Sequence, residues 1–203
     1  MTTSRRGRLK WILASSSPRR REILSSLGLR FRVEPSGAPE PDCPHGQEPS
    51  RCAVRLARVK ALAVGRRHNS GVVIAADTVV YCRGVTLGKP CDEEDASAML
   101  RRLSGRWHEV ITGLCLYDCR RRRSVSGYSR SRVHFRRLSA ADIDWYVSTG
   151  EYKDKAGAYA IQGYASLLVD RIEGCYFNIV GFPVSTFYLL CRRLKLLLLE
   201  SLS

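Results

Sequence analysis

Residues 71–81 read GVVIAADTVVY, a near-continuous apolar run of the kind that forms a buried strand rather than a half-exposed one. Asp77 and Thr78 interrupt it. An unpaired carboxylate is costly to bury, so Asp77 needs a metal, a cationic partner or a proton to justify its place. The competing reading is an aspartate that caps a turn at the strand's end. Against it stands the strand-like VVY that follows almost at once. The first constraint on the fold is thus a core strand carrying an ionisable group.

The elements around this strand alternate. Leu9 to Ala14 reads as a strand, followed by three serines and a helix starting at Pro18, with Ser17 as N-cap and Gly28 as C-terminal stop. Phe31 to Val33 is a second short strand. The stretch PSGAPEPDCPHGQEP, residues 35–49, must be loop, and its length marks a functional or mobile segment. Ser50 is read as the cap of a helix to about Arg67, with Val54, Ala57, Ala61 and Val64 facing inward. A hairpin through Cys82, Arg83 and Gly84 ends in LGKP, and Asp92 with Asp95 opens a helix to Leu103. Trp107–Tyr117 and Val125–Arg136 alternate as paired strands around a basic turn. Ser139 caps a helix ending at Gly150, and a leucine-rich helix of about fifteen residues is expected in the tail from Phe182. Strands and helices interleave, with hairpins as well as crossovers, which predicts an α/β fold with a mixed sheet. A basic arm over residues 1–8 precedes one domain over 9–198.

Composition narrows the function classes without choosing one. The formal net charge of +15 suits nucleic acid, acidic membrane surfaces or phosphorylated small molecules. Much of the excess lies in the N-terminal arm and in the turn Cys119–Arg123, which reads as a solvated hairpin tip. No apolar run approaches the roughly 20 residues of a membrane span, and the arm lacks the apolar stretch of a signal peptide, so the expected compartment is the cytoplasm. The eight cysteines form no C-x2-C pair and read as reduced thiols.

Four further segments carry candidate chemistry. At the start of the first helix, unpaired amides, the positive dipole end and Arg19, Arg20 and Arg21 would converge on one anion; the plainer alternative is a capped surface helix with solvated arginines. Lys89 sits in a Gly-Lys-Pro turn, where it either faces phosphate oxygens or water. The glycine spacing and the proline exclude a Walker motif. Gln162, in DKAGAYAIQG, can offer donor and acceptor to a base edge, although alone it reads as a hydrogen-bonded turn residue. Lys60 and Glu40, taken singly, read as surface residues.

Set in order, LASSSPRRREIL, VEPSGAPE, RLARVKA, AADTVV, LGKP, LSGRWHEVITG, DKAGAYAIQG and RIEGCYFNIVGFP resemble the Maf nucleotide pyrophosphatases over about Leu9 to Leu197. The resemblance implies cleavage of a nucleoside triphosphate between its α and β phosphates, with a divalent metal, Mg²⁺ or Mn²⁺. It implies a mixed-sheet fold with two lobes around a central cleft, similar to inosine triphosphate pyrophosphatases, and a homodimer. Asp77 then corresponds to the proton acceptor. Ser15, Arg19 and Arg20 correspond to the phosphate-binding turn, and Lys60 and Lys89 to lysines that neutralise phosphate charge. Glu40 and Asp77 correspond to the metal carboxylates. Arg19, Thr78 and Gln162 match positions that sort substrates, and the Asp77–Thr78 pair is similar to the dTTP/UTP branch. Two departures stand out: Pro39 replaces one of two adjacent acids, and Val59 stands where a glutamate often precedes the lysine. The competing class is a nucleic-acid-binding or cell-division regulatory protein that uses the same motifs as a nucleotide sensor; retention of every candidate chemical residue argues against a pure binder.

Overall fold

The computed structural model describes residues 9–39 and 47–202. The expected arm at 1–8 and the metal carboxylate Glu40 lie outside the described residues. The rest forms the expected α/β architecture, a seven-stranded mixed sheet with flanking helices. Its strands are β1 (Trp11–Leu13), β2 (Phe31–Val33), β3 (Val72–Cys82), β4 (Val85–Leu87), β5 (Trp107–Asp118), β6 (Arg123–Phe135) and β7 (Val169–Glu173). The order is β2-β1-β3-β5-β6-β7, with β4 paired to β3. β1 runs parallel to β2 and β3, and the remaining pairings are antiparallel.

β3 runs unbroken through Asp77 and Thr78, which pair with Gly113 and Thr112 of β5. Asp77 therefore lies within the strand and caps no turn. On one edge β5 accompanies β3 from Val72 to Tyr81. On the other edge β1 covers only Val72–Ile74 and β4 only Val80–Cys82. Between those two short partners the edge of β3 at residues 75–79 faces a gap, and the functional residues gather there.

Side-chain alternation sends Val73, Ala75 and Asp77 to one face of the sheet and Ile74, Ala76 and Thr78 to the other. The first face is covered by α2 (Pro49–Gly65), through Ala57, Ala61 and Val64. The second carries the larger core, with Leu24, Leu100, Leu103, Phe182 and Phe187 from the other helices and loops. α2 lies unusually close to β5. A Cβ added at Gly113 would stand 2.3 Å from the Ala53 carbonyl group, so only glycine admits the helix at this depth. The N-cap of α2 is Glu48, whose carboxylate accepts from Arg51 N at 3.1 Å with Pro49 in the first turn, rather than the expected Ser50; the Ser50 hydroxyl donates to Glu48 instead.

The remaining helices are α1 (Pro18–Ser26), α3 (Glu93–Leu103), α4 (Ala140–Ser148), α5 (Tyr176–Val180) and α6 (Val184–Arg193). α4 opens with the reciprocal Ser139–Asp142 capping box. The tail helix is ten residues, shorter than expected. The chain leaves it at Lys195 with φ 56°, and the remaining leucines enter a short 3-10 turn over Leu198–Ser201. α5 and β7 are too short to leave a periodic signal in the sequence. Six described cysteines are free thiols, but Cys52 is disulfide-bonded, which corrects the all-reduced reading. A compartment argument concerns the redox environment, not the geometry that brings a thiol to a partner. No described helix is long and apolar enough to cross a membrane.

Gly113→Ala is expected to push α2 off the sheet and destabilise the fold by about 3 kcal/mol, as over-packing does. Thermal unfolding checks this, and Gly88→Ala, at a position with open space around it and no left-handed φ, supplies the comparison.

Candidate active site

The gap along β3 opens into a cleft of about 1090 Å³. Its walls hold Ser15, Arg19, Arg20, Lys60, Asp77, Thr78, Lys89 and Gln162, every expected site residue among those described. Arg21 does not line it and points to solvent.

The strand-turn-helix at Ala14–Pro18 forms one wall. Ser17 occupies the N-cap position of α1, yet its side chain makes no capping bond. Ser15 acts locally instead, its Oγ accepting from Ser17 N at 3.2 Å. The first turn of α1 thus meets the cleft without a hydroxyl cap, an arrangement suited to an anion. Arg20 is tied to the protein by three donated bonds: Nε to Gly181 O at 3.0 Å, Nη1 to Ser15 Oγ at 3.1 Å and Nη2 to Thr78 Oγ1 at 3.2 Å. Arg19 keeps no such anchorage; burial lowers its pKa, and the carboxylates of Glu22 and Glu151 oppose the shift.

Asp77 forms the floor and is only 7% exposed. The cationic partner that its burial demands is Lys60, about two turns along α2 from the close contact of Ala53 with Gly113, with Nζ 2.5 Å from Asp77 Oδ1. Neither motif alone foretold this pairing. Lys89 sits at the rim, well exposed and 3.9 Å from Asp154. Gln162 is exposed on the same rim.

Sequence reading missed two contributors. Lys155 lines the cleft, and burial, reinforced by the nearby Arg19 charge, pushes its pKa down. Among the described residues the lining then holds Arg19, Arg20, Lys60, Lys89 and Lys155 against Asp77 and Asp154, an excess of positive charge facing the ligand space. Tyr159 is the other. Its hydroxyl shares a 2.8 Å hydrogen bond with Nε2 of buried His108, and both rings pack edge-on against Phe135. Gly157 N donates to Gly88 O at 2.9 Å, so the loop bearing Gln162 is fastened both to the core and to the Lys89 turn. The signal for Lys155 was present in DKAG; that for Tyr159 needed the fold, since His108 is 51 residues away.

Among the described residues no group of three or more His, Cys, Asp or Glu side chains could hold a metal by itself. Among the described residues Asp77 is the single carboxylate on the cleft floor. Such a donor set fits Mg²⁺, which typically takes one or two carboxylates and fills its remaining positions with substrate phosphates and water.

The family model described as Maf-like protein matches residues 10–194. A dTTP/UTP pyrophosphatase from Syntrophomonas wolfei is 49% identical over 89% of this chain and 96% of its own length. One of the same description from Clostridioides difficile is 49% identical over 86% of this chain and 89% of its own. A solved dITP/XTP pyrophosphatase from Mycobacterium abscessus overlaps 65% of this chain and 77% of its own at 16% identity, with a TM-score of 0.40.

Burial pushes His108 from 6.5 down to about 4. Unfolded chains then bind more protons than folded ones between those values, so stability falls as pH drops from 6.5 to 4, by about 3 kcal/mol at most. Denaturant titrations at pH 7.5, 5.5 and 4.5 should show this slope, and His108→Phe should flatten it.

Proposed function

Because the chain belongs to the Maf-like protein family, we propose that its cleft hydrolyses dTTP and UTP, and modified pyrimidine triphosphates of like shape, to the monophosphate and pyrophosphate. The observation that carries the reading is the buried Asp77–Lys60 pair on the floor of a cleft with surplus positive charge. Asp77 accepts a proton from the water whose oxygen bonds to the α phosphorus, and the bond from that phosphorus to the α–β bridging oxygen breaks. The electron pair leaves with pyrophosphate. Arg19, Lys60, Lys89 and the uncapped turn of α1 bear the growing negative charge, a form of stabilisation that acts most where water is excluded. Lys60 also fixes the carboxylate's rotamer through its 2.5 Å contact. Arg20, spent on three protein acceptors, contributes by holding Ser15 and Thr78 in place as much as by its charge.

A divalent ion, Mg²⁺ or Mn²⁺, would be held by Asp77 together with the substrate's phosphates and would neutralise their charge when bound. Glu40 is proposed as the second carboxylate. Gln162 on the rim meets the base edge, where one amide can serve donor and acceptor atoms alike. The reading sets the enzyme in the cytoplasm as a homodimer that clears unwanted triphosphates from the nucleotide pool. A pure nucleic-acid binder or cell-division regulator has no use for a buried, ion-paired carboxylate at the bottom of its cleft, which favours the enzyme.

Incubation with a panel of triphosphates and Mg²⁺ should release pyrophosphate, with dTTP and UTP ahead of purine nucleotides. Release of a diphosphate and inorganic phosphate would contradict the proposed bond. Asp77→Asn should fold normally, as judged by circular dichroism, while kcat falls by about 10³-fold.

A further inference from the structure

Behind the cleft runs a chain of hydrogen bonds whose direction can be worked out atom by atom. Thr112, on β5, is fully buried, and its Oγ1 lies 2.9 Å from the backbone carbonyl oxygen of Asn178. A carbonyl has no proton to give, so Thr112 donates its only one there. Thr78 Oγ1 lies 3.0 Å from Thr112 Oγ1. With the Thr112 proton already spent, Thr78 is the donor in that contact. On its other side Thr78 Oγ1 faces Arg20 Nη2 at 3.2 Å, and a guanidinium can only donate. The Thr78 hydroxyl therefore receives one bond, gives one, and retains one lone pair.

Both ends of this chain are locked. The Asn178 side chain accepts from Thr112 N at 3.2 Å and donates to Val110 O and Ser131 Oγ, each at 2.9 Å, so its amide cannot be turned over without facing like against like. Gly181 N also donates to the Asn178 carbonyl at 3.0 Å. At the other end Arg20 is pinned by Gly181 O and Ser15 Oγ. Gly181 has φ 112°, and a Cβ there would stand 3.2 Å from Thr78 Oγ1. Its lack of a side chain leaves that flank of the hydroxyl uncrowded.

We infer that Thr112, by giving its proton to the Asn178 carbonyl, fixes the Thr78 hydroxyl as an acceptor towards the cleft, so that the atom it meets on a bound nucleotide is an N–H or O–H of the nucleoside and not a phosphate oxygen. Ionised phosphate oxygens carry no proton at all, and a lone pair turned towards them is repelled. A uracil or thymine nucleotide offers two kinds of donor, the imide N–H of the base and the hydroxyl groups of the sugar. Thr112 is then a positioning residue. It touches no ligand, yet it sets which way its neighbour's proton points. The inference rests on the nucleotide reading of the cleft proposed above.

The test is calorimetric binding of a UTP analogue with a non-hydrolysable α–β bridge, in Mg²⁺, beside its N3-methyl, 2′-deoxy and 3′-deoxy forms. Wild type, Thr78→Val, Thr112→Val and Thr112→Ser are compared. One of the three modified ligands should bind wild type about tenfold more weakly than the parent, the scale of one lost hydrogen bond. That loss should vanish in Thr78→Val, shrink in Thr112→Val and return in Thr112→Ser. The N3-methyl form as the sensitive ligand assigns the donor to the base, and either deoxy form assigns it to the sugar. A merely structural role for Thr112 would weaken all four ligands alike. Equal binding of every modified ligand by wild type, or a loss identical in every variant, overturns the inference. Failure of wild type to bind even the parent ligand overturns the nucleotide reading along with it, whereas normal binding without the coupling overturns the inference alone. Should Thr112→Val not fold, Thr112→Cys, whose thiol is a weaker donor, takes its place, and an undiminished loss in that variant overturns the inference.

Discussion

The molecule is organised around a strand that is paired along one edge for ten residues and left open for five along the other. β5 keeps β3 straight and buried from Val72 to Tyr81, while β1 and β4 cover only its ends on the opposite side. Buried backbone without a partner is costly, so such an opening persists only where polar groups or a ligand can serve it. The gap has a second effect. Asp77 and Thr78 point to opposite faces of the sheet, as neighbours on a strand must, yet both reach one cleft because the sheet is interrupted beside them. One face delivers Lys60 from α2, and the other delivers Arg20 from α1.

Each of those deliveries depends on a close approach that glycine permits. Gly113 lets α2 sink against β5, which brings Lys60 within 2.5 Å of Asp77. Gly181 lets the chain after α5 pass beside Thr78 and supplies the carbonyl that anchors Arg20 Nε. The chain's large net charge plays a smaller part than its size suggests. The four-arginine turn after Cys119 follows Asp118, which pairs with Val72 at the start of β3, five residues or roughly 17 Å of strand from Asp77. None of its residues lines the cleft; the surplus charge there comes from Arg19, Arg20, Lys60, Lys89 and Lys155.

Local chemistry was legible to different degrees. Ser139 reads as an N-cap and is one, and Asp142 completes a reciprocal box with it, because all the partners lie within one turn. Ser17 and Ser50 read as caps by the same rules and do not act as such. Ser15 takes the Ser17 amide, and Glu48 with Pro49 starts α2 two residues early. In both cases several adjacent residues could satisfy the same amide, and packing chose among them. The tail helix was overestimated for a related reason. Its leucines continue past Lys195, but the backbone turns left-handed there and the apolar side chains pack from a new direction.

The sequence by itself determined the interleaved α/β architecture, the buried course of β3, and the need of Asp77 for a metal, a cationic partner or a proton. Those follow from the spacing of apolar residues and from the cost of a lone charge away from water, both of which are local. Only the tertiary structure decided which cation answers that charge, that Arg20 is bound to protein acceptors on three sides, and that Thr112 and Asn178 set the polarity of Thr78. Hydrogen bonds between residues 34 and 66 positions apart have no signature in a linear pattern. Their direction follows only once each donor's single proton has been traced to its acceptor.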